Sequence, residues 1–437
     1  MSDGQDGARS VGSVDTRREG ATSTAGDASE TGTGGVSRGR LRLFGSLCGL
    51  VFLVNLARVV FAPLVEPLRR AFLLSPAEAG LVVTLVWLGS ALPRLPTGYL
   101  LTRVKRHRVV LGAGATLTGA AAFTAVARSP AWLYAGAFTM GLASGPYFLA
   151  ANPLVSELFP ARVGRAIGVH GTASQIAAVA AAPLVGGALL LADWRTTFWL
   201  IAGAGAVSTA AIYLSARRAS LPAAGDDDRD MLGAVRAQWP IVVTGIAVVG
   251  VTGFVWNGLF NFYVTYLVSE GVAEATGRDL LTVAFAAGVP AFLVTGRLAD
   301  RVAYVPLLLS ILVAFVCSVL LLTVTSGFWP LVAVSALLGY VIHSLFPAID
   351  TYLLDSLPDR HRASAYATFS ATMMLVQATG SVVVGALNDL GYSYDAVFQG
   401  LAGLLAVVVA ALAVLHRAGY LPSGARGTPE TRTAPAD

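Results

Sequence analysis

The chain has 437 residues, of which 55% are hydrophobic and only 13% are charged, and its mean hydropathy is +0.68. Soluble domains carry about twice that charged fraction, so the composition excludes an ordinary water-soluble protein. The formal net charge of +5 comes mostly from arginines between apolar segments, which gives little support to nucleic acid as a partner. The two cysteines lie inside apolar segments and indicate neither a disulfide framework nor a metal site.

Repeated apolar stretches of about 20 residues, long enough to cross a hydrocarbon core, predict transmembrane helices. The runs are continuous rather than alternating, which favours helices over barrel strands. Twelve are predicted, over residues 43–64, 79–101, 109–127, 131–153, 166–191, 196–216, 240–268, 280–298, 304–325, 329–354, 364–387 and 396–415.

The helices and the polar stretches between them divide the chain into five parts. Residues 1–40 have almost no large apolar side chain, so they predict a disordered cytoplasmic tail. We expect a first six-helix bundle over 41–216, a central cytoplasmic loop over 217–239, a second bundle over 240–417 and a cytoplasmic tail over 418–437.

The two predicted bundles repeat one another at an offset of 198 positions. The segment from Thr97 to Val104 returns as the segment from Thr295 to Val302, and five of the eight positions are identical. Two matching apolar halves are typical of secondary transporters whose bundles face each other across an axis along the membrane normal. The predicted fold class is therefore all-α, a polytopic membrane protein of twelve helices in two pseudo-symmetric bundles.

Positive charge predicts the orientation, because cytoplasmic loops retain lysine and arginine. One set of loops is rich in these residues, and the opposite set holds only five arginines, Arg69, Arg70, Arg128, Arg195 and Arg278. We expect a multi-pass protein of the cell membrane with both termini in the cytoplasm.

The loops after the second and eighth predicted helices carry two copies of one motif. Over residues 41–417 the chain resembles the major facilitator superfamily, which places a Gly-x-x-x-Asp-Arg-x-Gly-Arg sequence after its second helix and a weaker copy after its eighth. The resemblance implies a gating role for the matching positions, which are Gly98, Arg103, Arg106, Gly296, Asp300 and Arg301.

Two departures from the family pattern bear on mechanism. Thr102 stands where the first copy has its aspartate, and Lys105 replaces the second glycine, whereas Asp300 keeps the carboxylate in the second copy. In the family this aspartate is thought to cap a neighbouring helix and hold the cytoplasmic side closed. The resemblance therefore implies a weaker first-half latch, or one moved to Asp300. Family antiporters often carry a glycine-rich run in helix five. In this chain only Pro183, Gly186 and Gly187 of that run remain, so the sequence gives weak support for antiport.

Arg58 is a charged residue inside the first predicted helix, and burying a charge in a membrane costs about 2.5–3.5 kcal/mol on insertion scales. Asn55 lies three residues earlier on the same face. The resemblance implies that helices one, four, seven and ten line a central cavity, where a guanidinium suits a carboxylate or phosphate. Two readings stay open: Arg58 binds an anionic substrate, or it pairs with a carboxylate such as Glu66 or extends toward the interface.

Helix seven offers Trp256 with Asn257 and Asn261, the two amides being four residues apart on one face. They predict either contacts to polar atoms of a substrate or ordinary hydrogen bonds between helices. Helix ten carries Tyr340 and His343 on a shared stripe. Because imidazole titrates near neutrality, His343 is the candidate for proton coupling, with a neutral histidine bonded to another helix as the alternative.

Together these patterns favour a secondary active transporter that works by alternating access and moves a small organic anion, carboxylate-like, by proton-coupled symport. Proton-driven efflux of hydrophobic or cationic compounds is one alternative, and a non-transporting solute receptor of the same fold is another. No Walker motif or nucleophile-and-base pattern stands out. We therefore expect no enzyme activity, cofactor or metal, a monomer in membrane lipid, and a small molecule as the partner.

The orientation is testable by cysteine labelling after Cys48 and Cys317 are replaced by alanine. A cysteine at Arg106 or Asp228 should be shielded from an impermeant thiol reagent in intact cells, whereas one at Ser129 should react. The opposite pattern of labelling would overturn the assigned orientation.

Overall fold

The computed structural model describes residues 32–217, 231–299, 301–357 and 359–421. Within these ranges the chain forms helices joined by short turns, without a β-strand. Most of the predicted tails and of the predicted central loop lies outside the described residues, as does Asp300. The described part begins inside the predicted first tail, because a helix already starts at Gly32.

The first half contains six helical rods. They are α1 (Gly32–Val59, continued by Phe61–Phe72), α2 (Pro76–Ala91, continued by Arg94–Arg103), α3 (Arg106–Ala125), α4 (Pro130–Leu158), α5 (Val163–Leu191) and α6 (Trp194–Ala216). A short 3-10 turn, Pro160–Arg162, joins α4 to α5.

The second half repeats the arrangement. Its rods are α7 (Met231–Gly245, a π-helical segment Ile246–Gly250, then Val251–Ser269), α8 (Glu274–Ala299), α9 (Tyr304–Leu322), α10 (Phe328–Ser356), α11 (Asp359–Ala378, continued by Gly380–Asp389) and α12 (Tyr394–Arg417). The twelve rods described here agree with the number predicted from sequence.

Ten helices of the described chain are long and apolar enough to cross a membrane by length and composition alone. The two rods outside that group are α4 and α8. Prolines, glycines and tyrosines lower the hydropathy of α4, and charged residues stand near both ends of α8. Both are long enough to span at 1.5 Å per residue, because α4 has 29 residues and α8 has 26.

Several rods bend where the sequence interrupts the hydrogen-bond ladder. The break in α2 falls at Leu92 and Pro93, consistent with a proline that cannot donate to the preceding turn. The first rod extends beyond the predicted boundary at residue 64, because Phe61–Phe72 forms a second amphipathic segment that carries Glu66, Arg69 and Arg70. The helix predicted from sequence ended at residue 64 because these charged residues interrupt the apolar run on which the prediction was based.

Among the described residues, each half packs its own helices closely, and several helix pairs join the halves. Within the halves, α2 packs on α4 and α8 packs on α10. Across the halves, α2 packs on α11, α5 packs on α8, and the outer segment of α1 packs on α7. The crossings of α2 with α11 and of α5 with α8 are equivalent under the sequence repeat, so the pseudo-symmetry holds for the interface.

We call one end of the bundle the outer end, defined by the turns at residues 73–75, 270–273 and 390–393, and the opposite end the inner end. The orientation predicted from sequence makes the outer end extracellular. At the outer end the halves meet through charged contacts, including an ion pair between Arg70 and Glu274 at 2.7 Å. On the inner half of α5, Val163, Val169 and Ile176 are exposed.

Glycines let the backbones of α2 and α4 touch. A Cβ added at Gly89 would overlap the carbonyl oxygen of Phe138, and one added at Gly141 would overlap the carbonyl oxygen of Val86. Small residues at helix contacts are the usual means of close association in lipid, where no hydrophobic force drives helices together.

We expect Gly141→Val to destabilise the protein by about 1–3 kcal/mol, the usual cost of overpacking a filled contact. The measurement is the midpoint of thermal unfolding in detergent. Gly119→Val is the matched control, because a Cβ at Gly119 meets nothing within 4 Å. An equal midpoint for the two variants would contradict the close contact between α2 and α4.

Candidate functional site

Arg58 lies in α1 beside the interface between the halves. Its guanidinium carbon stands 4.9 Å from the ring centroid of Trp87 on α2 and 5.2 Å from that of Phe148 on α4. Both distances permit a cation–π attraction. The side chain is half-buried, and its Nε is buried without a hydrogen-bond partner among the described residues. Arg58 is therefore a cation held between two aromatic faces.

Asn55 holds the other edge of the guanidinium. The Arg58 Nη2 donates to Asn55 Oδ1, and Asn55 Nδ2 donates to the carbonyl oxygen of Ser174 on α5 at 2.7 Å. The spacing of three residues thus places the two side chains together, as the sequence predicts. Because both ends of the Asn55 amide are engaged, its orientation is set, and it positions the arginine.

Glu66 does not pair with Arg58, so that alternative from the sequence is not found. Glu66 Oε1 accepts from Arg69 Nη1 at 2.9 Å and from Thr265 Oγ1 of α7 at 2.9 Å. Among the ion pairs of the described residues, none involves Arg58. A second cation, Arg94, stands close enough to repel it, and Arg94 itself donates to Ser370 Oγ of α11 at 2.9 Å.

Aromatic rings connect Arg58 to the second half. Trp87 contacts Phe260 of α7 edge-on, with ring centroids 6.4 Å apart. Phe260 in turn packs against Trp256 at 5.4 Å, and Trp256 meets His343 of α10 at 5.9 Å. The structure therefore places Arg58, Trp256 and His343, which the sequence singled out separately, along one aromatic path.

His343 is 5% exposed and lies in a cage of rings. Its Nδ1 stands 2.7 Å from the carbonyl oxygen of Gly339, one turn earlier on the same helix. A carbonyl can only accept, so Nδ1 carries the hydrogen and Nε2 is the position open to a further proton. The cage consists of Trp256, Phe285, Phe292 and Phe346, with ring centroids 5.7 to 6.3 Å from the imidazole.

The two amides of α7 face α11 rather than the aromatic path. Asn257 Oδ1 accepts from Ser381 Oγ at 2.7 Å, and Asn261 Nδ2 donates to the carbonyl oxygen of Asn257 at 2.8 Å and to Ser381 Oγ at 3.0 Å. Both asparagines are fully buried. These contacts match the prediction of hydrogen bonds between helices. Asn257 Nδ2 and Asn261 Oδ1 have no partner in the described structure.

Tyr340 lies one turn before His343 on α10 but is partly exposed, and its carbonyl oxygen accepts from Ser344 Oγ at 2.9 Å. Among the ring contacts of the described residues, none joins the Tyr340 ring to His343. Of the predicted substrate residues, Asn55, Arg58, Trp256 and His343 lie along the aromatic path, whereas Asn257 and Asn261 form a separate cluster at α11.

The sequence did not identify a buried polar cluster in the first half, formed by Tyr147, His170 and the carbonyl oxygen of Leu47. Tyr147 Oη donates to the carbonyl oxygen of Leu47 at 2.7 Å, and His170 lies 2.9 Å from the same hydroxyl through Nε2. Both side chains are buried. They link α1, α4 and α5 one turn from the Ser174 contact. The sequence does show that Tyr147 and His170 are polar residues inside apolar helices, and a buried polar side chain usually has a hydrogen-bond partner.

The gating motif residues lie at the inner end. The Arg106 side chain forms an ion pair with Glu157 near the end of α4, and Arg103 packs over the ring of Tyr99 at 4.5 Å. Gly98 has open space around its Cα. Gly296 lies in α8, Arg301 lies exposed in the turn that follows, and Asp300 falls outside the described residues.

Two helix bundles that repeat one another and face each other across an interface are typical of many secondary transporters. Residues 47–277 and 246–435 match the family model described as Major Facilitator Superfamily. The chain belongs to this superfamily and is a membrane transporter of that type.

Relatives agree with this assignment. The chain is 25% identical over 367 residues to the uncharacterized MFS-type transporter YwfA of Bacillus subtilis (strain 168), covering 79% of this chain and 85% of that protein. It is 30% identical over 225 residues to solute carrier family 2, facilitated glucose transporter member 10, of Mus musculus, covering 46% of this chain and 42% of that protein.

Solved structures agree in fold. A bacterial homolog of the human lysosomal transporter Spinster, in an inward-facing and unoccupied conformation, superposes with a TM-score of 0.65 at 18% identity, over 87% of this chain and 95% of that one. The nucleoside transporter NupG superposes with a TM-score of 0.72 at 13% identity, over 86% and 99%. At these identities the likeness concerns the fold alone.

Proposed function

We propose that this protein is a secondary active transporter that moves a small organic anion, carboxylate-like, by alternating access with proton coupling. The observation that carries the proposal is Arg58: a cation inside a span, held by Asn55 and two aromatic faces, and without a carboxylate partner among the described residues. A buried charge is costly unless it is paired. An anionic substrate would supply the missing charge.

The surroundings of Arg58 favour an anion in two further ways. Arg94 adds a second positive charge nearby, so the local field attracts negative charge. The planar guanidinium is fixed by Asn55, which lowers the entropy lost when a carboxylate binds it by two parallel hydrogen bonds. Trp87 and Phe148 flank the guanidinium and suit the apolar part of an organic acid.

Alternating access is supported by the arrangement of the halves. They are related by the sequence repeat and meet through the equivalent pairs α2 with α11 and α5 with α8. We propose a protein of the cell membrane with both termini in the cytoplasm, acting as a monomer.

Efflux of hydrophobic or cationic compounds is the second candidate. The aromatic path from Trp87 through Phe260 to Trp256 favours it, because ring faces attract apolar and cationic groups. Arg58 opposes it, since a cation beside the path repels cationic solutes. A receptor that binds solute without moving it is the third, and any saturable transport would exclude it.

Counterflow in proteoliposomes separates these candidates, because it reports the substrate without the correct driving ion. The panel contains carboxylates, lipophilic cations, sugars and nucleosides, the last two suggested by the names of the glucose and nucleoside transporters that this chain resembles. Saturable exchange of a carboxylate alone supports the proposal. Exchange of lipophilic cations alone would favour efflux.

With an exchanged carboxylate identified, we expect Arg58→Gln to weaken its binding about tenfold to a hundredfold, the cost of losing about 1.5–3 kcal/mol of charged hydrogen bonding. Arg58→Lys should weaken it less, because lysine keeps the charge and loses only the planar fork. The measurement is protection of the folded protein against heat by the carboxylate, which follows occupancy.

Arg128→Gln is the matched control, because it removes an arginine from an exposed turn between α3 and α4. It should leave heat protection unchanged. Full protection of the Arg58→Gln variant by the same carboxylate would contradict the anion site and leave Arg58 as a structural charge.

For coupling, we propose that His343 takes up the proton at Nε2. Two of the rings around it, Trp256 and Phe285, lie within about 6 Å of the imidazole, a distance at which cation–π attraction would offset part of the cost of a buried imidazolium. We expect His343→Gln to retain counterflow but to lose accumulation driven by a pH gradient.

His416→Gln, at the end of α12, is the control and should keep gradient-driven accumulation. If His343→Gln also accumulates substrate at the wild-type rate under a pH gradient, the coupling group lies elsewhere.

A further inference from the structure

The first turn of α2 receives one of its hydrogen bonds from the other half of the protein. Asp389, the last residue of α11, accepts from the backbone N–H of Ala77 at 3.0 Å and from the Ser75 hydroxyl at 2.8 Å, both through Oδ2. A carboxylate is favoured at a helix N-terminus, where free amides and the helix dipole point toward it.

The other groups of this turn are satisfied within the first half. Ser75 and Glu78 form a reciprocal capping box, with Ser75 Oγ accepting from Glu78 N and Glu78 Oε2 accepting from Ser75 N. Ala79 N donates to the Ser75 carbonyl, and Pro76 has no N–H. Ala77 is therefore the amide of the first turn whose acceptor comes from the second half.

Glycines bring the two helices close enough for this contact. A Cβ at Gly385, one turn before Asp389, would overlap the carbonyl oxygen of Pro76. A Cβ at Gly80 would overlap the carbonyl oxygen of Ser381. The α2–α11 contact thus depends on glycine on both sides, and Asp389 closes it at the outer end.

The helix N-terminus that corresponds to that of α2 in the second half carries its own carboxylate, which pairs with arginines and not with backbone amides. The repeat offset of 198 positions relates Pro76, which starts α2, to Glu274, which starts α8. Glu274 accepts from Arg278 of its own helix at 2.6 Å and from Arg70 of the first half at 2.7 Å. A carboxylate thus stands at the N-terminus of each of these helices and bonds across the interface.

We propose that Asp389 is the outer latch of the transport cycle, a helix cap supplied by the second half to α2 of the first half. When the outer end opens, Ala77 N and Ser75 Oγ lose this acceptor, and water replaces it. The latch therefore stabilises the outer-closed state relative to the outer-open state. This inference rests on the alternating access of the proposed function and is independent of the substrate.

The test is a spin-label distance measurement across the outer end without substrate, in full-length protein lacking Cys48 and Cys317. Labels at Arg128 and Tyr392 report the separation of the halves, because both positions are exposed and lie on opposite halves. We expect Asp389→Ala to raise the ratio of long-distance to short-distance populations about fivefold, which corresponds to the loss of a typical helix cap.

Asp389→Asn separates capping from charge, since asparagine caps a helix about as well as aspartate. It should shift the populations much less than Asp389→Ala. Glu270→Ala, an exposed carboxylate change at the same end of the second half, should shift nothing. A label pair within the first half, at Arg128 and Leu190, should keep its distance in every variant and so report intact folding.

Unchanged distances in Asp389→Ala, or a shift no larger than that of Glu270→Ala, would overturn the latch. Equal shifts for Asp389→Ala and Asp389→Asn would overturn the capping mechanism. Neither result would affect the anion site, because no substrate is present and Arg58 is unchanged.

Discussion

A membrane interior offers no water to the peptide groups, and this constraint governs the rest of the structure. Each span must form its own hydrogen bonds as a helix, and helices gain little by burying apolar surface that lipid already covers. Association then depends on contact between backbones. The glycines where α2 meets α4, where α8 meets α10 and where α2 meets α11 provide that contact. Many of the polar side chains that remain inside the described helices bond to one another or to backbone carbonyls.

The overall fold was predictable because its signals are long and repeated. Apolar length indicated twelve spans, and the repeat at 198 positions indicated two equivalent halves. The outer segment Phe61–Phe72 escaped prediction because its charged residues break the apolar run. Charged residues are tolerated in this segment because Glu66 and Arg70 bond to residues of the second half and so do not face lipid.

The candidate site was predictable only where partners lie close in sequence. Asn55 and Arg58 are three residues apart on one helix, so their contact follows from helical spacing. The contact of Tyr147 with His170, and that of Asp389 with Ala77, join residues far apart in the chain. A single sequence does not show which residues that are distant in the chain lie close together in the fold. The sequence also did not show which helices the two faces of α7 contact. Trp256 contacts α8 and α10, whereas Asn257 contacts α11.

The π-helical segment Ile246–Gly250 gives α7 a property that the straight helices lack. A π turn holds one residue more than an α turn, whereas one residue added to a regular α-helix would rotate the following part by about 100°. Because the wider turn absorbs the extra residue, the helical parts before and after it keep the faces that they would present in a continuous α-helix one residue shorter. A single-residue gap at this point in an alignment with a related chain would therefore mark the loss of the π turn and not a change in the residues that face the interface.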